Sequence, residues 1–443
     1  MNHSGQVSGD IAARSVVIDS LGGRGDGVAM VDGKRWFVAG ALAGERVLAT
    51  PELHNRDGIH ATLERIEAPS PARVEPPCPH FADLRAPCGG CSLQHLAAAA
   101  YTGFKRDLIV HALEHRGLAD RVDRIAQPRR SPERSRRRVT LSAVGTRDGA
   151  VVGFHQRRSK RVVDLGDCAI AGPAITDLLP ALRQVLAGYL RPGERAGVSV
   201  AIVDSGPLIE LSGPVRYPGR HIRERLESLA ADHDVCRLAW RPTAKKQFSV
   251  IAERRPATHH FADVPVDLPF GAFLQATAEG EAAIRDVLVN TIADGAPARI
   301  ADLYAGCGSL ALPLAVKGHR VRAMDVERNP LRALGTAATR AGLDVTTERR
   351  DLDARPPTAR ELAAYDAVVF DPPRAGARRL AAELARSTVP TVIAVSCHPG
   401  TFARDARALI DGGYHLEHIQ PVDQFLYGSH IELVAVFRRD PAV

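Results

Sequence analysis

The chain has 443 residues, of which 45% are hydrophobic and 25% are charged, and its formal net charge is +7. This length predicts two or three domains, and the composition indicates a folded protein whose cores need no disulfide bonds. The positive charge weakly favours an acidic partner, and no apolar run reaches the roughly 20 residues that a membrane helix needs.

The N-terminal region predicts a small β domain. Residues 1–10 are polar and lack the apolar stretch of a secretion signal, so we expect a cytoplasmic protein that does not enter a membrane. Runs such as Arg35–Val38 and Arg46–Ala49 are short and rich in β-forming residues, and four glycines between positions 22 and 27 mark turns. A barrel of OB-like size over residues 1–69 fits this pattern.

A group of cysteines follows a proline-rich joint. Cys78, Cys88 and Cys91 have the spacing C-x9-C-G-G-C, and Cys168 follows much later in the chain. Inside a cell, clustered cysteines are more often metal ligands or catalytic groups than disulfides. Four thiolates hold either a 4Fe–4S cluster or a tetrahedral zinc ion, and the spacing alone does not separate the two.

The middle of the chain, to about residue 265, predicts a mixed α/β region that begins with a helix over residues 97–117. It carries two clusters of basic residues, which are Arg129, Arg130, Arg134, Arg136, Arg137 and Arg138, and then Arg157, Arg158, Lys160 and Arg161. Such clusters suit contacts with phosphate groups, and a solvated strand face explains them equally well.

From about residue 266 the pattern changes to alternating strands and helices. Four apolar runs end in loops that carry Asp, Gly or Cys, and they cover residues 300–304, 320–325, 367–371 and 391–397. Alternation of this kind predicts a Rossmann-like, doubly wound parallel sheet of the α/β class. Ligands of such sheets bind beyond the carboxyl ends of the strands, where these four runs end.

The loop after the first of these runs predicts a nucleotide-like cofactor. It reads D-L-Y-A-G-C-G-S from Asp302 to Ser309, and the next strand ends at Asp325, 23 residues after Asp302. An acid at this distance binds ribose hydroxyls. Ala311 stands where a nicotinamide enzyme has its third glycine, so the sparse loop favours S-adenosylmethionine. A tight turn without any ligand is the alternative.

Two strand ends and a carboxylate predict a covalent mechanism. Asp371 and Cys397 each follow an apolar run, and Glu432 begins another near the C-terminus. C5 of uracil is a weak nucleophile until a thiolate adds to C6, and a base must then remove the C5 proton so that the thiolate can leave. Taken alone, Cys397 reads as a buried small residue and Glu432 as an edge-strand carboxylate.

Five motifs together resemble those of the RNA uracil-5-methyltransferase family, and the resemblance covers nearly the whole chain. They are F-x-Q at Phe273–Gln275, D-L-x-x-G-x-G at Asp302–Gly308, D-P-P-R-x-G at Asp371–Gly376, S-C-x-P at Ser396–Pro399 and H-x-E at His430–Glu432. One departure is His398, which stands where the family has asparagine after the nucleophile.

The resemblance implies three domains. They are a TRAM-like OB barrel over residues 1–69, a central iron–sulfur and RNA-binding domain over 70–265, and a methyltransferase domain over 266–443. A helix near residues 93–124 is expected to pack on the last of these. The resemblance further implies that a 4Fe–4S cluster is bound by four cysteines, which are Cys78, Cys88, Cys91 and Cys168.

The resemblance also assigns roles in the active site. Cys397 falls on the nucleophile and Glu432 on the base. The expected cofactor-binding residues, for S-adenosylmethionine, are Gln275, Tyr304, Asp325 and Asp371.

The expected activity is therefore methylation of C5 of a uridine in RNA by a monomeric enzyme, with ribosomal RNA favoured over transfer RNA. A transfer RNA enzyme and a catalytically silent RNA-binding protein are the alternatives. Intact Cys397 and Glu432 disfavour the silent protein, and the D-P-P-R-x-G and H-x-E motifs disfavour a cytosine-5 enzyme.

Overall fold

In this computed structural model the described residues are 12–82, 87–214, 216–242, 247–292 and 297–440. The polar N-terminus, on which the expectation of no secretion signal rests, lies outside these ranges. So do the first residues of the predicted barrel and the last three of the predicted methyltransferase domain. Among the described residues, no helix is long and apolar enough to cross a membrane.

The N-terminal part of the described chain forms one six-stranded sheet. Its strands are β1 (Arg14–Val17), β2 (Ser20–Leu21), β3 (Gly27–Val31), β4 (Lys34–Val38), β5 (Arg46–Asn55) and β6 (Gly58–Ala68). They lie in the order β1-β5-β6-β4-β3-β2, and only β4 and β6 pair in parallel. Alternate side chains such as Val16, Trp36, Val38 and Val47 turn inward and form its core, as expected for strands with one solvated face.

The central part contains a second six-stranded sheet. Before this sheet the chain forms α1 (Pro79–Ala82), α2 (Ala98–Glu114), a 3-10 helix (Ala119–Arg124) and β7 (Arg129–Arg130). The sheet region comprises β8 (Arg138–Thr146), β9 (Gly149–Gly153), α3 (Pro173–Thr176), α4 (Leu179–Tyr189), β10 (Arg195–Val203), β11 (Gly206–Ser212), α5 (Arg220–Asp232), β12 (Arg237–Arg241), β13 (Ser249–Glu253), β14 (Thr258–Phe261) and β15 (Val264–Asp267). The strands of the sheet lie in the order β13-β12-β11-β10-β8-β9, and β14 and β15 form a separate hairpin.

The C-terminal part is an α/β unit, which confirms the predicted class. Its elements are α6 (Ala278–Thr291), β16 (Arg299–Leu303), α7 (Ala311–Val316), β17 (Arg320–Asp325), α8 (Arg328–Arg340), β18 (Val345–Arg349), α9 (Ala359–Leu362), β19 (Ala367–Phe370), α10 (Arg378–Arg386), β20 (Thr391–Ser396), α11 (Pro399–Asp411), β21 (His415–Asp423) and β22 (Glu432–Arg438). The sheet order is β18-β17-β16-β19-β20-β22-β21-β7.

Helices cover both faces of this sheet. Residues of α6, α7 and α8 form the core on one face, and residues of α10 and α11 form it on the other. Because both faces are covered, β19 and β20 are buried at every position and read as continuous apolar runs. The last strand, β22, runs antiparallel between β20 and β21.

Two elements from the central part of the chain complete this unit. β7 pairs in parallel with the end of β21, with Arg129 opposite Val422. The helix α2 packs against α11 and buries Ile109 and Leu113 in the same core as the sheet. The α/β unit is therefore assembled from two separate stretches of the sequence.

Candidate active site

Four chemically active residues meet at one edge of the eight-stranded sheet. The parallel strand β17 ends at Asp325, while Asp371 and Cys397 directly follow β19 and β20. The antiparallel strand β22 starts at this same edge, because Leu433 pairs with Ser396, and its first residue is Glu432. Glu432 is only 3% exposed, so it is not a surface carboxylate.

These residues line one pocket with a volume of about 570 Å³, which is the size of a typical small-molecule site. Of the six residues predicted for catalysis and cofactor binding, five line this pocket, which are Tyr304, Asp325, Asp371, Cys397 and Glu432. The sixth, Gln275, is 2% exposed and lies behind Asp371, to whose Oδ2 its Nε2 donates a hydrogen bond at 3.3 Å.

The loop from Tyr304 to Gly308 forms one wall of the pocket and depends on left-handed backbone. Tyr304, Gly306 and Gly308 have φ angles of 64°, 53° and 94°. A Cβ at Gly306 would meet nothing within 4 Å, so this residue opens toward the pocket. A Cβ at Gly308 would lie 2.4 Å from Cδ1 of Leu334, so Gly308 permits close packing of α8, and it does not line the pocket.

The carboxylate of Asp325 fixes the bend that follows β17. Its Oδ2 accepts from the backbone N–H of Gly306 at 2.9 Å, and its Oδ1 accepts from that of Glu327 at 2.8 Å. Asp353 also lines the pocket and accepts a hydrogen bond at 2.8 Å from the hydroxyl of Tyr304. Two residues earlier, Asp351 caps the turn by accepting hydrogen bonds from the backbone N–H groups of Asp353 and Ala354.

Two glutamines connect the two buried carboxyl groups. Nε2 of Gln424 lies 3.0 Å from Oε2 of Glu432 and 2.7 Å from Oε1 of Gln275, which in turn contacts Asp371. Gln424 was not predicted from the sequence. Its signal is its place directly after β21, which runs parallel to β20 and therefore ends at the same edge.

The electrostatics of the pocket disfavour negative charge. Burial raises the pKa of Glu432 well above its usual range, with the charge of Asp371 adding to the effect, and burial raises the pKa of Asp371 to about 6. Burial raises the pKa of the Cys397 thiol to about 11, and the negative charges of Glu432 and Asp371 contribute to this increase, while the guanidinium of Arg374 lowers the pKa. The Cys397 thiol is accordingly protonated at neutral pH before substrate binds.

His398 caps the start of α11. Its Nδ1 accepts a hydrogen bond at 3.2 Å from the backbone N–H of Thr401. Asparagine is a preferred residue at this helix position because its side chain accepts the same kind of hydrogen bond. The histidine that departs from the family motif therefore caps the helix that follows Cys397.

The loop between β21 and β22 is held from behind by α2 and by the cysteine-containing segment. Lys105 pairs with Asp423 at 2.7 Å and also donates to the carbonyl of His430. The backbone N–H groups of Ser92 and Leu93, next to Cys91, both donate to the carbonyl of Tyr427. The segment that carries three of the cysteines thus contacts the loop that precedes Glu432.

Arginines of the first basic cluster make two kinds of contact. Arg129, Arg134 and Arg137 form ion pairs within the chain, with Asp286, Asp167 and Glu281 respectively. Two others stack on aromatic rings that line the pocket. The guanidinium of Arg138 lies 4.7 Å from the ring of Phe273, and that of Arg136 lies 5.7 Å from the ring of Phe425. Phe273 is 54% exposed at the pocket.

The four predicted metal ligands lie together. The four thiols are buried, are not in disulfide bonds and line one small cavity; they are those of Cys78, Cys88, Cys91 and Cys168. Burial raises the pKa of Cys91 to about 12, and repulsion from Cys168 and Cys88 contributes. Within the described ranges, no group of three or more His, Cys, Asp or Glu side chains is arranged to hold a metal ion. Cys236 and Cys307 are buried at other places.

Similarity to known proteins agrees with this arrangement. The model of the tRNA (uracil-5-)-methyltransferase family matches residues 358–439. An uncharacterized RNA methyltransferase of Mesorhizobium japonicum is 39% identical over 95% of this chain and 96% of its own length. The 23S rRNA (uracil(1939)-C(5))-methyltransferase RlmD of Halomonas elongata is 32% identical over 96% of this chain and 89% of its own.

One solved structure shares the fold over nearly the whole chain. It is the Pyrococcus abyssi tRNA (uracil-54, C5)-methyltransferase in complex with S-adenosyl-L-homocysteine. Its TM-score is 0.70 at 22% identity, and the match covers 96% of this chain and 100% of that one.

Proposed function

Because this chain is a member of the RNA uracil-5-methyltransferase family, we propose that it transfers a methyl group from S-adenosylmethionine to C5 of a uridine in RNA. One observation carries the proposal. Cys397, Glu432 and Asp371 line the same pocket as the cofactor loop, so a thiol, a base and a methyl donor can reach one pyrimidine ring.

The pocket fits the methyl donor at its loop end. Gly306 presents bare backbone there, and Asp325 stands at the strand end where an acid binds ribose hydroxyls. Tyr304 lies beside them and is proposed to contact the donor. Gln275 does not line the pocket, so we propose that it acts by holding Asp371.

The proposed reaction uses Cys397 as the nucleophile. The thiolate sulfur bonds to C6, and the resulting carbanion character at C5 attacks the methyl carbon of the sulfonium, which breaks the methyl–sulfur bond. Glu432 then removes the C5 proton, the C5–C6 double bond re-forms and the thiolate leaves. Asp371, whose pKa is raised to about 6, hydrogen-bonds the uracil ring. The cation of Arg374 favours the thiolate.

Access to C5 and C6 requires the uridine to leave its base stack. The rings of Phe273 and Phe425 line the pocket, and the guanidinium groups of Arg138 and Arg136 lie against them, so cationic and aromatic groups stand together there. Guanidinium groups and rings of this kind bind unstacked RNA bases and their phosphates. We propose that the N-terminal sheet is a TRAM-like OB barrel that adds a further RNA contact.

Ribosomal RNA is the substrate that we favour, because the Halomonas relative that matches 96% of this chain acts on 23S rRNA. Transfer RNA is the second candidate. It is named by the family model that matches residues 358–439, and the Pyrococcus enzyme with the same fold acts on it.

We also propose that the four cysteines hold a 4Fe–4S cluster with a structural role. The four buried thiols share one cavity, and four thiolates are the usual ligands of such a cluster. Arg157 donates to the carbonyl of Cys91 and brings positive charge to the site.

The test is methyl transfer from radiolabelled S-adenosylmethionine to unmodified ribosomal and transfer RNA, by protein purified without oxygen. We expect label in 5-methyluridine, its loss in Cys397→Ala and its retention in Cys236→Ala, a matched control at a buried thiol outside the pocket. Label in 5-methylcytidine would assign a cytosine enzyme. Cofactor binding without any labelled RNA would favour a silent RNA-binding protein.

A further inference from the structure

Gln424 connects the proposed base to the rest of the active site. The side chain is 1% exposed and makes three hydrogen bonds. Its Oε1 accepts from the backbone N–H of Ala276 at 2.9 Å, and its Nε2 donates to Oε1 of Gln275 at 2.7 Å and to Oε2 of Glu432 at 3.0 Å. Both N–H groups of the amide and one lone pair of its oxygen are therefore used.

The backbone determines which way round the two amides lie. The N–H of Ala276 can only donate, so the oxygen of Gln424 must face it and the NH2 group must face Gln275 and Glu432. Gln275 must then present its oxygen to Gln424 and its NH2 group to Asp371. Each carboxyl group consequently receives an N–H, and neither receives an amide oxygen.

The two oxygens of Glu432 are thereby made different. Oε2 is held by Gln424, whereas Oε1 is buried and has no hydrogen-bond partner among the residues that the structure describes. Glu432 lines the pocket in which Cys397 stands. The oxygen without a partner is the one available to take a proton from a substrate.

We propose that Gln424 is a positioning residue for proton removal: it holds Oε2 of Glu432 so that Oε1 is presented to the C5 proton. This inference rests on the proposed function. After methyl transfer, C5 carries both a methyl group and a hydrogen while C6 is bonded to Cys397. Glu432 takes the proton, the C5–H electron pair forms the C5–C6 double bond, and the S–C6 bond breaks. Gln424 affects this release step and leaves methyl transfer largely unchanged.

Single-turnover kinetics separate the two steps. Enzyme in excess is mixed with labelled S-adenosylmethionine and in vitro transcribed ribosomal RNA, then quenched in denaturant. The measurement records the methylated RNA that is free and the methylated RNA that is still covalently bound to protein. Gln424→Met keeps the length of the side chain and removes its N–H groups. We expect its release to slow about tenfold, as for loss of a hydrogen bond to a charged group, while label enters RNA at a near-wild-type rate.

Gln420→Met is the matched control. Gln420 is a buried glutamine of β21, four residues before Gln424, and its Nε2 donates to the carbonyls of Gln127 and Pro421, away from the proposed base. It should release product as the wild type does. Gln424→Glu, which keeps the shape and the acceptor toward Ala276, replaces Gln424→Met if the latter does not fold, and it too should accumulate adduct.

Wild-type release by both Gln424 variants would overturn the inference, as would an equal decrease of methyl transfer and release. Failure of the wild-type protein to methylate any uridine would instead remove the proposed function, so the two failures are distinguishable.

Discussion

Lys105 and Asp423 form an ion pair closed off from solvent, with Nζ 2.7 Å from Oδ1 and each side chain 1% exposed. Tyr101 donates a second hydrogen bond to Asp423 at 2.6 Å, and Lys105 also donates to the carbonyls of Phe425 and His430. A helix from the central part of the chain thus holds both ends of the loop that precedes the proposed base.

Removing one partner of this pair should be costly. Lys105→Met leaves Asp423 as an unpaired buried charge, and we expect the free energy of unfolding to fall by about 3–5 kcal/mol. Urea denaturation measures this change. Arg116→Met, at an exposed position just after the same helix, should stay within about 0.5 kcal/mol of the wild type. A similarly small effect of Lys105→Met would contradict the prediction.

Cys397 should react slowly with alkylating agents. A thiol whose pKa is about 11 is roughly 0.1% thiolate at pH 8, so iodoacetamide should modify it about two orders of magnitude more slowly than an ordinary thiol. The rate should rise about tenfold for each pH unit between 8 and 10. Peptide mass spectrometry can follow this site separately from the six buried cysteines.

The neighbours of Cys397 should shift this reactivity in opposite directions. Glu432→Gln removes a negative charge and should speed alkylation, whereas Arg374→Ala removes a cation and should slow it. Glu417→Gln, an exposed carboxylate near the start of β21, should have no effect. Alkylation of the wild type at the rate of free glutathione at pH 8 would contradict the expected electrostatics.

Asp302 should make the protein less stable as pH rises. Burial, followed by the charges of Asp371 and Asp325, raises its pKa well above the usual value of about 4. The native state therefore binds this proton more tightly than the unfolded state, and its stability declines as pH increases above about 4 toward the native pKa. In Asp302→Asn this dependence should disappear, so the variant should gain stability relative to the wild type between pH 5 and pH 8.

Guanidinium denaturation of the wild type and of Asp302→Asn at pH 5 and at pH 8 tests this expectation. Asp148→Asn, at an exposed position in the turn between β8 and β9, is the surface control and should follow the wild type. If the difference in unfolding free energy between Asp302→Asn and the wild type is the same at both pH values, the prediction for Asp302 is wrong.

The two glycines of the cofactor loop should respond differently to alanine. Gly308→Ala combines a φ of 94° with a Cβ only 2.4 Å from Leu334, so it should lower the melting temperature strongly. Gly306→Ala meets no neighbour and should cost only about 1–2 kcal/mol of backbone strain, while its methyl group enters the donor pocket. Thermal unfolding and calorimetry with S-adenosylhomocysteine separate the two. A greater loss of stability in Gly306→Ala than in Gly308→Ala would be inconsistent with the close contact between Gly308 and Leu334.

The positions of Asp325, Asp371 and Cys397 could be predicted because each one follows a buried apolar strand, and parallel strands end at one edge. Glu432 starts a strand, and taken alone it was interpreted as an edge-strand carboxylate, because strand direction is not visible in local sequence; the family motif assigned it the role of base. The class of the fold was accessible for the same reason as the first three residues, since the apolar runs and the helices alternate.

Other features depend on tertiary contacts that no local pattern encodes. Lys105 lies in a helix whose sequence does not mark it as buried, and its partner is more than 300 positions away. Gln424 acquires its role only when β21 ends beside β22. The arginine clusters suggested free cations, yet Arg134 and Arg137 pair with acids that stand far away in the sequence.

The place of β22 in the sheet sets an order of events during synthesis. This strand lies between β20 and β21, although it leaves the ribosome after both. Until it inserts, β20 has an unpaired edge, and the proposed base Glu432 does not lie beside Cys397. A nascent chain that already contains Cys397, the proposed nucleophile, therefore cannot complete the proposed reaction until the strand that begins with Glu432 has paired with β20.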